Sequence, residues 1–232
     1  MKLPSIIKSN KNSIVLLAVV IPGENKQSKI SIRGTGFIVS EDGKFITNAH
    51  VYNEIPKNEL EHLEIKIPTE TNDEDLTRYE GYSAELIDMD KENDVALMQI
   101  KAEKKVKFEA IDKFADSEQV KEGEKALFIG YPLATELLAL GFGITMNSNS
   151  CIISAVKRRG ADGSLHLFLI DTHTNNGSSG SPVFSEETGE VIGIVGGNIS
   201  SSIPNTPIKV PANIGICRPI KYVEDIINKN NK

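Results

Sequence analysis

Apolar residues along this chain fall into short runs, broken repeatedly by Gly, Asn, Asp and Pro. Runs that read as strands cover 14–21, 29–39, 45–47, 62–67, 82–88, 95–101, 126–129, 150–156, 165–170, 191–195 and 214–217. Many short strands at close spacing, with few helical patterns, predict an all-β sandwich or barrel. The run Ile14–Ile21 is β-rich and has the length of a buried strand. Lys8 and Lys11 ahead of it give it a superficial likeness to a signal peptide. No A-x-A-like cleavage site follows, and Pro22-Gly23-Glu24-Asn25 reads as a turn, so a strand and no export signal are expected. Asp42-Gly43 marks a hairpin. The acidic stretches 53–62 and 69–80 read as surface insertions, and 102–125 as a polar connection between two halves. From Pro219 the pattern changes: Ile220, Val223, Ile226 and Ile227 share one helical face, which predicts a C-terminal helix packed on the second half.

With 232 residues, 39% apolar and 25% charged, the chain can bury a sizeable core as one domain or two small lobes. Its net charge of −6 points away from nucleic acid and anionic membranes as partners. No apolar run approaches the roughly 20 residues that span a bilayer, and a cytoplasmic location is expected. Cys151 and Cys217 lie in strand-like segments and read as small buried thiols, with a single disulfide left open. Together with four scattered histidines they lack zinc-ligand spacing, so no metal and no cofactor are expected. His62 and His166 read as ordinary surface and strand residues, and Lys157-Arg158-Arg159-Gly160 as a solvated turn.

Candidate chemistry sits in three segments. "GTGFIVSEDGKFITNAHV" places His50 after an apolar strand end, "LIDMDKENDVALMQI" places Asp94 at the head of an apolar run, and "NNGSSGSPVF" places Ser179 among small residues. Taken singly, each has a plain alternative: a half-buried histidine, a strand-flanking aspartate, a flexible Gly/Ser turn. Taken together, they are what a serine nucleophile requires. Imidazole must accept the hydroxyl proton, a carboxylate must orient the imidazole, and backbone N–H groups must face the developing oxyanion. Gly177 and Ser179 itself would supply those two donors.

The segments resemble the chymotrypsin-fold (trypsin-like) serine endopeptidases, closest to the HtrA-like and glutamyl-endopeptidase branches. The likeness also takes in "IGYP" at 129–132, "CIISAVKR", "GEVIGIVGG" and "NIGICRPI", and so runs from about residue 13 to 228. It implies two perpendicular six-stranded antiparallel β-barrels, divided at 1–112 and 113–232, with the site in the cleft between them. His50, Asp94 and Ser179 would form the triad, Gly177 and Ser179 the oxyanion hole. Peptide bonds of a protein or peptide substrate would be cleaved through an acyl-enzyme, without a cofactor. The alternative is a latent or catalytically silent peptide-binding protein on the same scaffold.

Several positions depart from relatives. Ser178 replaces the aspartate that pairs with a new N-terminus in digestive enzymes, so zymogen-type activation is not expected. HtrA proteases carry a PDZ domain after the protease, and none is expected within these 232 residues. By resemblance, His173, Thr174, Val195, Gly196 and Gly197 wall the primary pocket. His173 stands where trypsin-like enzymes carry an acid, which disfavours cleavage after Lys or Arg. Thr174 matches the pocket threonine of glutamyl endopeptidases, but Val195 replaces their histidine. An aliphatic preference and a His173-directed acidic or amide preference both remain open, and Gly196-Gly197-Asn198 offers backbone for an extended peptide.

Overall fold

The computed structural model describes residues 2–23, 28–71 and 77–231. Among them are twelve strands in two closed six-stranded barrels. The first barrel comprises β1 (Ile14–Pro22), β2 (Ser28–Ile38), β3 (Lys44–Thr47), β4 (Leu63–Thr71), β5 (Thr77–Asp90) and β6 (Val95–Lys101), closing in the order β1-β2-β3-β6-β5-β4. The second comprises β7 (Lys125–Gly130), β8 (Asn147–Arg158), β9 (Leu165–Ile170), β10 (Pro182–Ser185), β11 (Val191–Ser202) and β12 (Lys209–Pro219), closing as β10-β11-β12-β9-β8-β7. Every pairing within these two sheets is antiparallel.

Strand β1 explains why its sequence is apolar without alternation. Successive side chains point to opposite faces, and here both faces are buried. Val15, Leu17 and Val19 fill the first barrel, whereas Ile14 and Leu16 join the core between the barrels. That middle core also takes Phe37, Leu97, Tyr131, Phe184 and Ile194, so it is built by both halves. The second barrel is filled by Phe128, Ile153, Phe168, Val183, Val195 and Cys217. Cys151 and Cys217 are free and buried, and burial pushes the Cys151 thiol up to about 12.

Four helices accompany the barrels among the described residues: α1 (Leu3–Asn10), α2 (Ala49–Asn53), α3 (Ala134–Ala139) and α4 (Lys221–Asn230). The expected C-terminal helix is α4, but its packing differs from expectation. Tyr222, Val223 and Ile226 enter the middle core, and its end reaches the first barrel. There Lys229 Nζ lies 2.7 Å from Asp88 Oδ2, and Asn230 Nδ2 donates to the same oxygen at 2.9 Å. The apolar face of the helix fits the seam between barrels better than either barrel alone. Helix α1 was not anticipated, although Leu3, Ile6 and Ile7 carry helical spacing and Pro4 suits a first turn. The acidic stretch 69–80 is strand at both ends (to Thr71 and from Thr77), with 72–76 outside the described residues. Arg158 and Arg159 are not merely solvated: Arg158 pairs with Glu118 at 2.8 Å and Arg159 with Glu92.

Candidate active site

His50 is delivered by α2 directly after β3, with Ala49 and Val51 buried on either side to fix the helix. Asp94 closes the tight turn between β5 and β6 in a left-handed conformation, φ +60°. The two meet in the first barrel. His50 Nδ1 lies 2.8 Å from Asp94 Oδ2 and 3.1 Å from Oδ1, and the His50 backbone N–H donates to Oδ1 at 2.9 Å. Asn48 Nδ2 donates to the Asp94 carbonyl at 3.0 Å. An ionised carboxylate only accepts, so the ring proton resides on Nδ1 and Nε2 keeps its lone pair.

Burial by itself would lower the His50 pKa. The hydrogen bond and charge of Asp94, with a smaller contribution from Glu54, outweigh burial and opposing Arg218, leaving it raised above 6.5. The ring is thus poised to accept a proton and hold it.

Ser179 comes from the second barrel, in the turn ahead of β10. Gly177 (φ +90°) and Gly180 (φ +87°) flank it in backbone conformations that L side chains rarely adopt. Both also lie against neighbouring backbone, Gly177 against the Tyr131 carbonyl and Gly180 against that of Thr35, so a Cβ has no room. Thr35 of β2 ties the turn to the first barrel. Its N–H donates to the Ser179 carbonyl at 2.8 Å, and its hydroxyl donates to the Gly177 carbonyl at 2.7 Å while accepting from Tyr131 N–H at 3.0 Å.

The Asn176 carbonyl accepts from Leu133 N–H at 2.7 Å. In a trans peptide the N–H points opposite to the C=O, so Gly177 N–H is turned away from Leu133. Among the described residues neither Gly177 N–H nor Ser179 N–H donates to any group of the chain. Two free donors therefore lie in the Ser179 turn. His50, Gly177 and Ser179 share one cleft of about 500 Å³, with Arg33, Glu54 and Glu136 on its walls.

The residues expected to wall a specificity pocket separate into two groups. Thr174 Oγ1 donates to the Gly197 carbonyl at 2.5 Å, and Asn198 Nδ2 donates to the Thr174 carbonyl at 2.9 Å, so 174 and 197–198 do come together. Gly196 lies beside Asp94 and Arg218. Val195 is a correction. Its side chain is fully buried in the second barrel, and its N–H and C=O are bonded to Ser181 and Gly180, leaving nothing for a substrate. His173 is exposed. Ser178 is buried, and its hydroxyl has no partner among the described residues, so an aspartate there would carry an unpaired charge inside the protein.

Thr35, Asn48, Tyr131 and Leu133 were not singled out from sequence. The "GTG" and "IGYP" segments hold two of them, but only the folded chain shows that they support the Ser179 turn.

Comparison with known proteins gives a consistent result. Residues 34–194 match the trypsin-like peptidase domain family. "Serine protease HTRA1" of Xenopus laevis is 31% identical over 187 residues, covering 76% of this chain and 34% of that protein. "Probable periplasmic serine endoprotease DegP-like" of Chlamydia trachomatis is 30% identical over 77% of this chain and 31% of its own length. "Serine protease HTRA3" of Homo sapiens is 31% identical over 75% of this chain and 36% of its own. The chain spans about a third of the length of these curated relatives.

Proposed function

The chain belongs to the trypsin-like peptidase family, and from that premise we propose that it is a serine endopeptidase acting through His50, Asp94 and Ser179. Ser179 Oγ attacks the scissile carbonyl of a protein or peptide. His50 Nε2 takes the hydroxyl proton and then passes it to the leaving amine, and Asp94 stabilises the imidazolium. The N–H groups of Gly177 and Ser179 receive the oxyanion, and water releases the acyl-enzyme.

The observation that carries this function is the direction of the Gly177 N–H, turned from Leu133 and free beside Ser179 in the cleft that holds His50. A latent protein on this scaffold would need the Asn176–Gly177 peptide reversed. For specificity, the exposed position of His173 favours an aliphatic residue before the scissile bond.

The test is labelling by a fluorophosphonate, which needs an activated hydroxyl, with Ser179→Ala as control and a peptide library read by mass spectrometry. Wild type should label and cut, and the variant should do neither. Absence of both from the wild type would reject the enzyme in favour of a silent peptide-binding protein.

A further inference from the structure

The His50–Asp94 pair belongs to the first barrel and Ser179 to the second, so catalysis needs the Asp94 turn held in register with the other half. Residues 90–94 form that turn. Within it Asn93 N–H and Nδ2 donate to the Asp90 carboxylate at 3.0 and 2.6 Å. These bonds tie the turn to itself but do not fix its place against the second barrel.

Arg159 supplies the external contact. It sits at the tip of the β8–β9 hairpin in the second barrel, where its backbone is pinned on both sides. Arg159 N–H donates to Ser164 at 2.9 Å, and Gly163 N–H donates to the Arg159 carbonyl at 2.9 Å. Arg158 Nη1 adds a bond to Gly163 at 3.1 Å. From this base the Arg159 guanidinium reaches across the seam. One arm pairs with the Glu92 carboxylate, and the other donates to Asn93 Oδ1 at 3.0 Å. Both residues immediately before Asp94 are thus gripped by one planar fork, a geometry that lysine cannot reproduce. Among the described residues no other second-barrel side chain makes a hydrogen bond or ion pair with 90–94.

We propose that Arg159 is a positioning residue, clamping the 90–94 turn from the second barrel so that Asp94 stays in its left-handed conformation against His50. The clamp rests on the serine-endopeptidase function for its catalytic consequence, but its effect on the His50–Asp94 contact does not. Left-handed backbone at a non-glycine residue persists only where its surroundings enforce it, and the clamp is the hydrogen-bonded part of those surroundings that comes from the second barrel, where Gly196 also lies beside Asp94. An exposed ion pair adds little to stability, so the effect should fall on the site rather than on the fold.

The deciding measurement is NMR titration of the His50 ring in wild type, Arg159→Met and Arg159→Lys. Asp94, Glu54 and Arg218 are the charged groups facing that ring. Removing a nearby cation would by charge alone raise the histidine pKa. Loosening Asp94 lowers it, so the two explanations differ in sign. The clamp predicts a lower His50 pKa in Arg159→Met, with partial recovery in Arg159→Lys. In peptide hydrolysis it predicts kcat down about tenfold, KM nearly unchanged, since small misplacements of catalytic groups act on the chemical step. A His50 titration in Arg159→Met that is unchanged or raised overturns the clamp, whatever the rate does. If the wild type itself cuts no peptide, the enzyme function fails, and the titration still decides the clamp.

Discussion

The N–H of Leu133 and the carbonyl of Asn176 are joined by a 2.7 Å hydrogen bond, and through peptide planarity that bond aims the next N–H along the chain. Leu133 reaches this position in a left-handed conformation, φ +54°, at the entry to α3. On the other side of the same turn, Thr35 holds the Gly177 carbonyl. The Gly177 N–H is therefore aimed by the bond from Leu133, and Gly177 itself is held on both sides by bonds from outside the turn.

Thr35→Val tests the second of those bonds. The variant keeps the shape but leaves the half-buried Gly177 carbonyl and the buried Tyr131 N–H without the Thr35 hydroxyl. Such losses cost about 1–3 kcal/mol each, so the urea midpoint should fall. If the oxyanion donor is also misdirected, kcat should drop about tenfold to hundredfold, somewhat less than outright removal of a donor. Thr35→Ser keeps the hydroxyl and should restore most of the activity. Steady-state kinetics on the three proteins would check this, and an unchanged kcat in Thr35→Val would remove Thr35 from the account.

The charges around His50 predict opposite shifts from two neighbours. General-base action needs the neutral ring, so the rate falls as pH drops through a pKa raised above 6.5. Glu54 raises that pKa and Arg218 lowers it. Glu54→Gln should therefore move the acid limb of kcat/KM to lower pH, and Arg218→Met should move it to higher pH. Folding linkage has the matching sign: the stability from His50 is complete below the unfolded pKa and lost as pH rises through the folded one. A pH–rate profile in which both variants shift the same way would contradict the assignment of these neighbours.

Asp88 ties the last helix to the first barrel, and its titration predicts where that tie fails. The hydrogen bond from Lys229, then those from Asn230 and the Met89 backbone, hold its carboxyl down at about 2, from 3.8. A depressed carboxylate contributes stability above its unfolded pKa and loses it as pH falls through the folded one. Asp88→Asn should flatten the stability–pH curve between those values. At neutral pH it should cost no more than about 1 kcal/mol, as partly exposed ion pairs do. Chemical denaturation at a series of pH values would measure both effects. An unaltered acid slope would place the tie elsewhere.

What the sequence made legible followed from locality. The strand at 14–21, the Asp42-Gly43 hairpin and the three chemical segments each announce themselves within a dozen residues. His50 and Asp94 meet because each sits at a strand end of the same barrel, which the family likeness supplied. Less legible were contacts made by ordinary residues at long range. Nothing about Thr35 or Leu133 in isolation marks a support for Ser179, and "KRRG" looks like any solvated turn until its hairpin lies against Glu92 and Asn93. Val195 was misplaced for a different reason. A position beside a cleft in relatives was read as facing it, but Val195 falls on the inward side of the β11 alternation and fills the barrel. The course of α4 differs from expectation because its apolar face fills the core shared by both halves, while the ties at Asp88 carry its end to the first barrel.

Two glycines separate the demands of space from those of backbone. Gly177 and Gly141 share a left-handed φ, +90° and +85°. A Cβ on Gly177 would overlap the Tyr131 carbonyl, whereas one on Gly141 would meet nothing within 4 Å among the described residues. Gly141→Ala should therefore suffer only conformational strain, about 1–2 kcal/mol, with fluorophosphonate labelling intact. Gly177→Ala must in addition push the turn away from Tyr131, breaking the alignment set by Leu133 and Thr35. Its labelling rate should fall at least about a hundredfold, the scale of a lost oxyanion donor, in a protein whose spectrum still reports two folded barrels. Equal labelling of both variants would mean that the free N–H of Gly177 does not serve the reaction, and the oxyanion would need a different donor.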